Sequence, residues 1–214
     1  MPIYSVLPDD SDIDQRLQNL KNSGMLVGSD ESIINKKLND LANEVKQGQI
    51  GAKGEVTFLE RQIFGEGRQV LIIPDPIQSN VKIPDYAVYQ DRGGTLGREI
   101  TEVKTTVRTT NVTVGQGWEK WIKSKINEGN KQLKRSGITY GIPGSLEMQL
   151  YESAKSEFAQ ILQDDATTVE SWVTREFRPN QMRSLRRVAI YGNGKLLLEF
   201  TRTVENQIVK TFPA

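Results

Sequence analysis

The residues of this chain that are best suited to chemistry are two carboxylates and an ammonium group, on Asp85, Glu102 and Lys104. Glu102 and Lys104 lie two positions apart in a segment that reads REITEVKTTVRT, and its alternation predicts a β-strand. Residues i and i+2 of a strand share a face, so we expect these two side chains side by side, with Val103 on the other face. Carboxylate oxygens of this kind suit Mg²⁺ or Mn²⁺. The pattern therefore predicts a site for a hard divalent cation.

The same tripeptide, Glu-Val-Lys, also occurs at residues 44–46, where it predicts no site. That copy ends a stretch whose apolar residues follow helical spacing. Consecutive helix residues are about 100° apart, so Glu44 and Lys46 diverge by roughly 200° and cannot converge on one ion. We interpret the first copy as a solvated helix end.

Histidine and cysteine are both absent from the 214 residues, which excludes several classes of chemistry. The chain has no Ser-His-Asp or Cys-His catalytic set, no zinc site built on these ligands and no disulfide. Any catalysis must use Asp, Glu, Lys, Arg, Ser, Thr or Tyr. The first residues lack the regions of a secretory signal, and no apolar run is long enough for a membrane span. We therefore expect a cytoplasmic protein without a membrane partner.

Capping and periodicity divide the chain into a helical segment, residues 1–50, and a larger domain, residues 51–214. Two helices fill the first segment, and a third begins near residues 52–55 and carries Glu55. Three strands follow, over 68–76, 81–91 and 98–109.

A long helix is predicted next, from about Gln116 to Arg135. Ser145 is a candidate cap for a further helix through Leu146, Leu150 and beyond. After a short helix around residues 169–177, two strands joined at Gly192-Asn193-Gly194 form a closing hairpin. This order predicts an α/β (α+β) fold with a mixed sheet flanked by helices.

The two strands that carry the candidate ligands flank a glycine-rich turn at residues 93–94. They are therefore expected to be antiparallel neighbours. In that arrangement Asp85 faces Glu102 or lies within a residue or two of it. A rival, Asp75, stands between two prolines in a turn sequence, so Asp85 is the preferred ligand.

Pro84-Asp85, a spacer and then Glu102-Val103-Lys104 resemble the motif of the PD-(D/E)XK nuclease superfamily. The resemblance covers residues 52–135 and implies a restriction-endonuclease-like sheet. It also implies that Asp85, Glu102 and the Val103 carbonyl bind Mg²⁺, for which Mn²⁺ can substitute. Lys104 would act on the attacking water.

The same resemblance implies roles for residues on the flanking helices. Glu55 on the preceding helix and Gln132 on the following one would complete the catalytic group. The layout also weakly resembles nuclease domains of bacterial polymorphic and contact-dependent-inhibition toxins, which implies an immunity protein as a partner if the chain is a toxin.

Basic residues concentrate in residues 118–135 and 175–187, where they could hold phosphates. The simpler interpretation is a solvated helix face and a basic loop. The candidate nucleic-acid-binding residues are Lys120, Lys123, Lys131, Lys134, Arg135, Arg183, Arg186 and Arg187. Trp118 and Trp121 are expected to pack in the core rather than stack on bases.

We therefore expect a metal-dependent endonuclease that hydrolyses phosphodiester bonds, with DNA as its substrate. The alternatives are a non-catalytic nucleic-acid-binding or scaffold protein on this fold, and an RNA-cleaving toxin domain. Taken singly, Glu102 and Lys104 are better explained as half of an exposed cross-strand ion ladder, and only the combination with Asp85 and the order of elements favours a nuclease site. The residues leave open whether the protein is a homodimer.

Overall fold

The computed structural model describes residues 12–74, 84–92, 95–106, 116–140, 144–177, 184–203, 205 and 207–212. The helices in this part of the chain are α1 (Ile13–Asn22), α2 (Glu31–Lys46), α3 (Ile50–Glu60), α4 (Gln116–Tyr140), α5 (Glu152–Asp164) and α6 (Ala166–Glu176). A π-helical turn, Arg61–Gly65, extends α3. The strands are β1 (Leu26–Val27), β2 (Val70–Ile72), β3 (Tyr86–Arg92), β4 (Thr95–Thr106), β5 (Gly144–Leu150), β6 (Leu185–Gly192), β7 (Lys195–Arg202) and β8 (Ile208–Thr211).

The eight strands form one mixed sheet in which spatial order follows chain order. Strands β4, β5 and β6 are parallel neighbours at its centre. The pairs β2–β3, β3–β4, β6–β7 and β7–β8 are antiparallel, and β1 joins β2 in parallel. The predicted fold class, mixed α/β, is confirmed.

Helices cover both faces of the sheet, and each face forms its own core with them. Successive strand residues alternate between these two cores. On β4, Ile100 packs with residues of α4, α5 and α6, whereas Val103 packs with residues of α1, α2 and α3. On β3, Ala87 belongs to the first core and Tyr86 to the second. Helix α4 connects β4 to β5 and helices α5 and α6 connect β5 to β6, as parallel strands require.

Residues 12–50 contribute a helical layer to this structure. Leu17, Leu20 and Leu41 of the first two helices are buried in the same core as Val56 of α3 and Tyr86 of β3. Asp30 caps α2 by accepting hydrogen bonds from the backbone amides of residues 32 and 33. Because Leu41 of α2 and Val56 of α3 share this core, α2 is packed directly against α3.

The helix predicted to begin at Ser145 is wrong: Gly144–Leu150 is the central strand β5, and the helix α5 begins at Glu152. Leu146 and Leu150 stand four apart, which suits a helix, but Met148 between them completes a period of two. Every residue of β5 is buried, because helices cover both faces of the sheet there. The polar residues that alternate with these apolar ones are buried too, which the sequence pattern did not indicate.

The other predicted elements correspond to observed ones, with shifted ends. The closing hairpin forms at Asn193-Gly194, and the strand β8 after it was not predicted. Helix α3 begins at Ile50, a little before the predicted start. Within the described ranges, no helix has the length and apolarity needed to cross a membrane.

Candidate active site

Asp85 and Glu102 are brought together by the register of β3 and β4. Tyr86 pairs with Thr101 and Ala87 with Ile100, so the same register continued by one residue sets Asp85 opposite Glu102. The carbonyl of Asp85 accepts a hydrogen bond at 3.1 Å from the amide of Ile73, the residue just after β2. This bond holds Asp85 beside the end of β2. The antiparallel pairing predicted from the turn at residues 93–94 is therefore present, although those two residues lie outside the described ones.

Glu102 and Lys104 project side by side, as the period of a strand predicts. The Lys104 ammonium donates to Oε1 of Glu102, and Glu102 is only 2% exposed. Val103 points to the opposite face and is buried in the core formed with α1, α2 and α3. The two charged side chains thus lie on the α4 side of the sheet.

Glu55 joins this group from α3 and is fixed by two partners. The hydroxyl of Tyr86 donates to Oε2 of Glu55 at 2.7 Å. The ammonium of Lys37, on α2, lies 2.6 Å from the same oxygen and 3.9 Å from Oδ1 of Asp85. One ammonium group therefore bridges the carboxylates of Glu55 and Asp85.

Two close approaches of helix to sheet position the flanking helices. A Cβ on Gly54 would lie 1.9 Å from Oγ1 of Thr105, so only glycine lets α3 pack this tightly on β4 beside Glu55. A Cβ on Gly129 would lie 2.9 Å from Cδ1 of Leu146, which brings α4 onto β5. Gln132 follows three residues later on α4 and forms a hydrogen bond that lowers the pKa of Glu102.

Burial and the charges of neighbouring carboxylates make the two candidate metal ligands weaker acids. Burial raises the pKa of Asp85 well above its usual range, and the charges of Glu55 and Glu102 raise it further. Burial also raises the pKa of Glu102, although Lys104 lowers it in part. Such crowding of carboxylates is unfavourable unless a cation lies among them.

The partners of Glu55 respond to the same field. Burial opposes the charge of Lys37, but Glu55 and Asp85 outweigh it and raise the pKa of the ammonium. Burial, followed by the charges of Glu55 and Asp85, raises the pKa of the Tyr86 hydroxyl well above its usual range. Lys37 therefore stays charged and Tyr86 stays a hydrogen-bond donor at neutral pH.

The donor set fits a hard divalent cation, because it consists of carboxylate oxygens. Among the described residues, Oε2 of Glu102 is buried and has no hydrogen-bond partner, so it has a free acceptor site. In the same part of the chain, no three acidic side chains converge closely enough to hold an ion as they stand. Asp85, Glu102 and the Val103 carbonyl are the ligands that the sequence motif implies.

The sequence alone did not identify Lys37 or Tyr86 as members of the site. Tyr86 had one signal, its position directly after Asp85 at the start of an alternating strand. Lys37 had none, because the helix α2 reaches Glu55 only through tertiary packing.

Four of the candidate nucleic-acid-binding lysines form one stripe on α4. Lys120, Lys123, Lys131 and Lys134 are all exposed, and positions eleven apart on a helix nearly superimpose after three turns. The opposite side of the helix carries the buried residues Trp118, Ile122, Ile126 and Leu133. The side chain of Arg135, and all of Arg183 and of the rival Asp75, lie outside the described part.

Arg187 belongs to a buried ion network instead of this stripe. Its guanidinium donates to Glu147, Glu199, Ser145 and the hydroxyl of Tyr191. Arg186 is half-buried and donates to the Thr203 carbonyl at 3.5 Å. The proposed nucleic-acid surface therefore excludes Arg187, which already donates four hydrogen bonds within the protein.

The partner of Arg187 in this network, Glu147, also binds Arg61 of the π-helical turn. The Arg61 guanidinium lies 4.0 Å from the ring centre of Tyr191. Burial opposes the charge of Glu147, but Arg61 and Arg187 outweigh it and lower the pKa of this carboxyl. The network ties α3 to β5 and β6.

Trp118 is buried and packs edge-to-face on Trp121, with ring centres 5.7 Å apart, and 5.2 Å from Phe158. Its role in the core, predicted from the helical spacing, is confirmed.

Comparisons with protein-family models, curated proteins and solved structures found no match for the chain.

Proposed function

We propose that the protein is a metal-dependent nuclease of the PD-(D/E)XK type that hydrolyses phosphodiester bonds, with DNA as the expected substrate. The observation that carries the proposal is the register that sets Asp85 opposite Glu102, with Lys104 beside Glu102 on the same face. Glu55 and Gln132 approach this pair from the helices before and after the two strands. These contacts support the proposal.

The residues divide the work of hydrolysis between them. Asp85, Glu102 and the Val103 carbonyl would hold Mg²⁺ or Mn²⁺, which lowers the pKa of water and neutralises phosphate charge when bound. Lys104 directs an ammonium group at the attacking water and at the charge that develops on phosphorus. Glu55 and Gln132 would complete the catalytic group. Glu55 is held by Tyr86 and Lys37.

In the proposed reaction the oxygen of water forms a bond to phosphorus and the P–O bond to the leaving nucleotide breaks. The proton of water passes to solvent or to a carboxylate, and the leaving oxygen takes up a proton. This direct displacement needs no covalent intermediate on the protein, in keeping with the absence of histidine and cysteine.

The test is digestion of plasmid DNA, single-stranded DNA and tRNA with Mg²⁺, with Mn²⁺ or with EDTA. We expect DNA cleavage that requires the metal and that falls by a factor on the order of 10²–10³ in Lys104→Met, the cost of one lost transition-state donor. Lys195→Met, which removes an exposed lysine of β7, is the matched control and should cleave normally. Cleavage of tRNA alone would favour the RNA-cleaving alternative.

A metal-free ion cluster on a non-catalytic binding protein is the second candidate. The pairing of Lys37 with Glu55 and of Lys104 with Glu102 favours it, because these contacts neutralise two carboxylates without a metal. Complete absence of cleavage of every substrate with either metal would support this candidate over the nuclease.

A further inference from the structure

Lys37 reaches the candidate site from a helix that lies outside the nuclease-like segment of the sequence. Its ammonium lies 2.6 Å from Oε2 of Glu55 and 3.9 Å from Oδ1 of Asp85. It also lies 5.2 Å from the ring centre of Tyr86, whose hydroxyl binds Glu55. The positive charge is therefore located between a proposed metal ligand and a proposed catalytic carboxylate.

This contact differs from an ordinary surface ion pair. Only 25% of the Lys37 side chain is exposed, whereas the preceding residue of α2, Lys36, is exposed to solvent. Helix α2 is held in place because its residues Leu38, Leu41 and Val45 are buried in the core that α2 shares with α3. An exposed pair contributes little, whereas a charge held among partly buried carboxylates is weakly screened.

We propose that Lys37 is a positioning residue of this site: its ammonium holds Glu55 and Asp85 together, and a divalent cation must compete with it for Asp85. The competition rests on the proposed function, whereas the bridging contact does not. A cation at Asp85 and the ammonium of Lys37 repel each other at short range. The helical segment thereby sets how tightly the site takes up its metal.

Removal of the charge at residue 37 should therefore have two opposite effects. Without metal, Glu55 and Asp85 lose their shared counter-charge and repel each other, so the protein becomes less stable. With metal, the site carries one more net negative charge, so it binds the cation more tightly. A lysine with a purely structural role would change the first property and leave the second unchanged.

The experiment uses the full chain as wild type, Lys37→Met, Lys37→Arg and the control Lys36→Met. Mn²⁺ binding is measured by the electron paramagnetic resonance signal of the free ion, and thermal midpoints are measured in EDTA. We expect Lys37→Met to bind Mn²⁺ about tenfold more tightly than wild type, as loss of a neighbouring like charge predicts. Its midpoint in EDTA should fall by about 2–4 °C, while Lys37→Arg and Lys36→Met stay near wild type.

The outcomes separate this inference from the proposed function. If wild type binds Mn²⁺ and Lys37→Met binds it no more tightly than Lys36→Met does, the inference about Lys37 is overturned. If none of the four proteins binds Mn²⁺, the proposed metal site itself is overturned, and the competition with it. Should Lys37→Met fail to fold, Lys37→Gln, which keeps a hydrogen-bond donor for Glu55, serves in the same comparison.

Discussion

Asp85, the residue directly before β3, lies opposite Glu102 when the register of β3 and β4 is continued by one residue, although the two are seventeen residues apart in the chain. Desolvation raises the pKa of both carboxyls, and the charge of Glu55 raises both further; the charge of Glu102 also raises the pKa of Asp85. Lys37 and Lys104 offset this repulsion from two different elements. The charge balance of the site thus depends on strand register and on α2 together.

The first prediction concerns the stability of Asp85→Asn in the absence of metal. The folded-state pKa of Asp85 is raised above its usual value of 3.8, so its stabilising contribution is complete below pH 3.8 and is lost as pH rises through the folded-state pKa. The ionised group therefore opposes folding at pH 7. Because the side chain is 27% exposed, we expect a modest gain for Asp85→Asn of about 1 kcal/mol.

Urea denaturation in EDTA at pH 7 and near pH 4 measures this effect. The gain in the free energy of unfolding should shrink as pH falls, since wild-type Asp85 becomes protonated. The exposed control Asp40→Asn should stay within about 0.5 kcal/mol of wild type. An Asp85→Asn protein that is less stable than wild type at pH 7 would contradict the electrostatic account.

A second prediction tests the contact between α3 and β4. In Gly54→Ala the new methyl group would lie 1.9 Å from Oγ1 of Thr105, so α3 must move away from the sheet. We expect a loss of about 1–3 kcal/mol in the free energy of unfolding, the usual cost of overpacking. The double variant Gly54→Ala/Thr105→Ala should recover part of it.

The matched control is Gly51→Ala in the same helix, where nothing lies within 4 Å of the new Cβ. This change should stabilise the protein by about 0.5–1 kcal/mol, because alanine favours helices more than glycine does. Equal effects of the two substitutions in a thermal melt would show that the packing at Gly54 is unimportant.

A third prediction concerns the buried network around Glu147. Glu147 is only 1% exposed and pairs with both Arg61 and Arg187, so Glu147→Gln removes the buried counter-charge that the two guanidinium groups share and leaves each with one more exposed partner, Glu66 or Glu199. We expect a loss of about 3–5 kcal/mol in the free energy of unfolding. Glu199→Gln, which removes a more exposed partner of Arg187, should cost about 1 kcal/mol or less.

The effect of Glu147 should also depend on pH. Its folded-state pKa is lowered below the usual value of 4.5, so the stabilisation is present above pH 4.5 and is lost as pH falls through the folded-state pKa. The difference between wild type and Glu147→Gln should hold constant from pH 7 to 6 and decrease only in acid. A difference that disappears between pH 7 and 6 would contradict this assignment.

A fourth prediction tests the basic stripe on α4. Lys131 and Lys134 are exposed and lie on the same side of the helix, so Lys131→Gln/Lys134→Gln removes two candidate phosphate contacts. The slope of log affinity against log salt for duplex DNA should become shallower by about 0.9 for each lost contact. Fluorescence anisotropy in EDTA, which prevents cleavage, measures this slope.

The control for the stripe is Lys36→Gln/Lys195→Gln, which removes two exposed lysines from other elements and the same net charge. It should change the slope less. A slope that responds equally to both pairs would mean that net charge alone, and no particular surface, attracts the DNA.

The sequence predicted that Asp85, Glu102 and Lys104 lie close together, because the positions of these three residues follow from local rules. A period of two sets Glu102 and Lys104 on one face, and the turn predicted at residues 93–94 indicated that the two strands are neighbours. The same local rules failed at Gly144–Leu150, where burial on both faces hides the polar alternation of a central strand. They also could not assign Arg187, because a basic residue in the sequence does not reveal that Glu147 and Glu199 bind it.

By itself, then, the sequence determined the residue types of the site, the strand that presents Glu102 and Lys104, and the exclusion of histidine and cysteine chemistry. Only the tertiary structure decided that α2 delivers Lys37 to Glu55 and Asp85 and that Tyr86 fixes Glu55. The physical reason is range: periodicity and turns act over a few residues, whereas these contacts depend on the packing of α2 and α3 against each other in a shared core. The charge that balances the carboxylates is therefore a property of the folded chain.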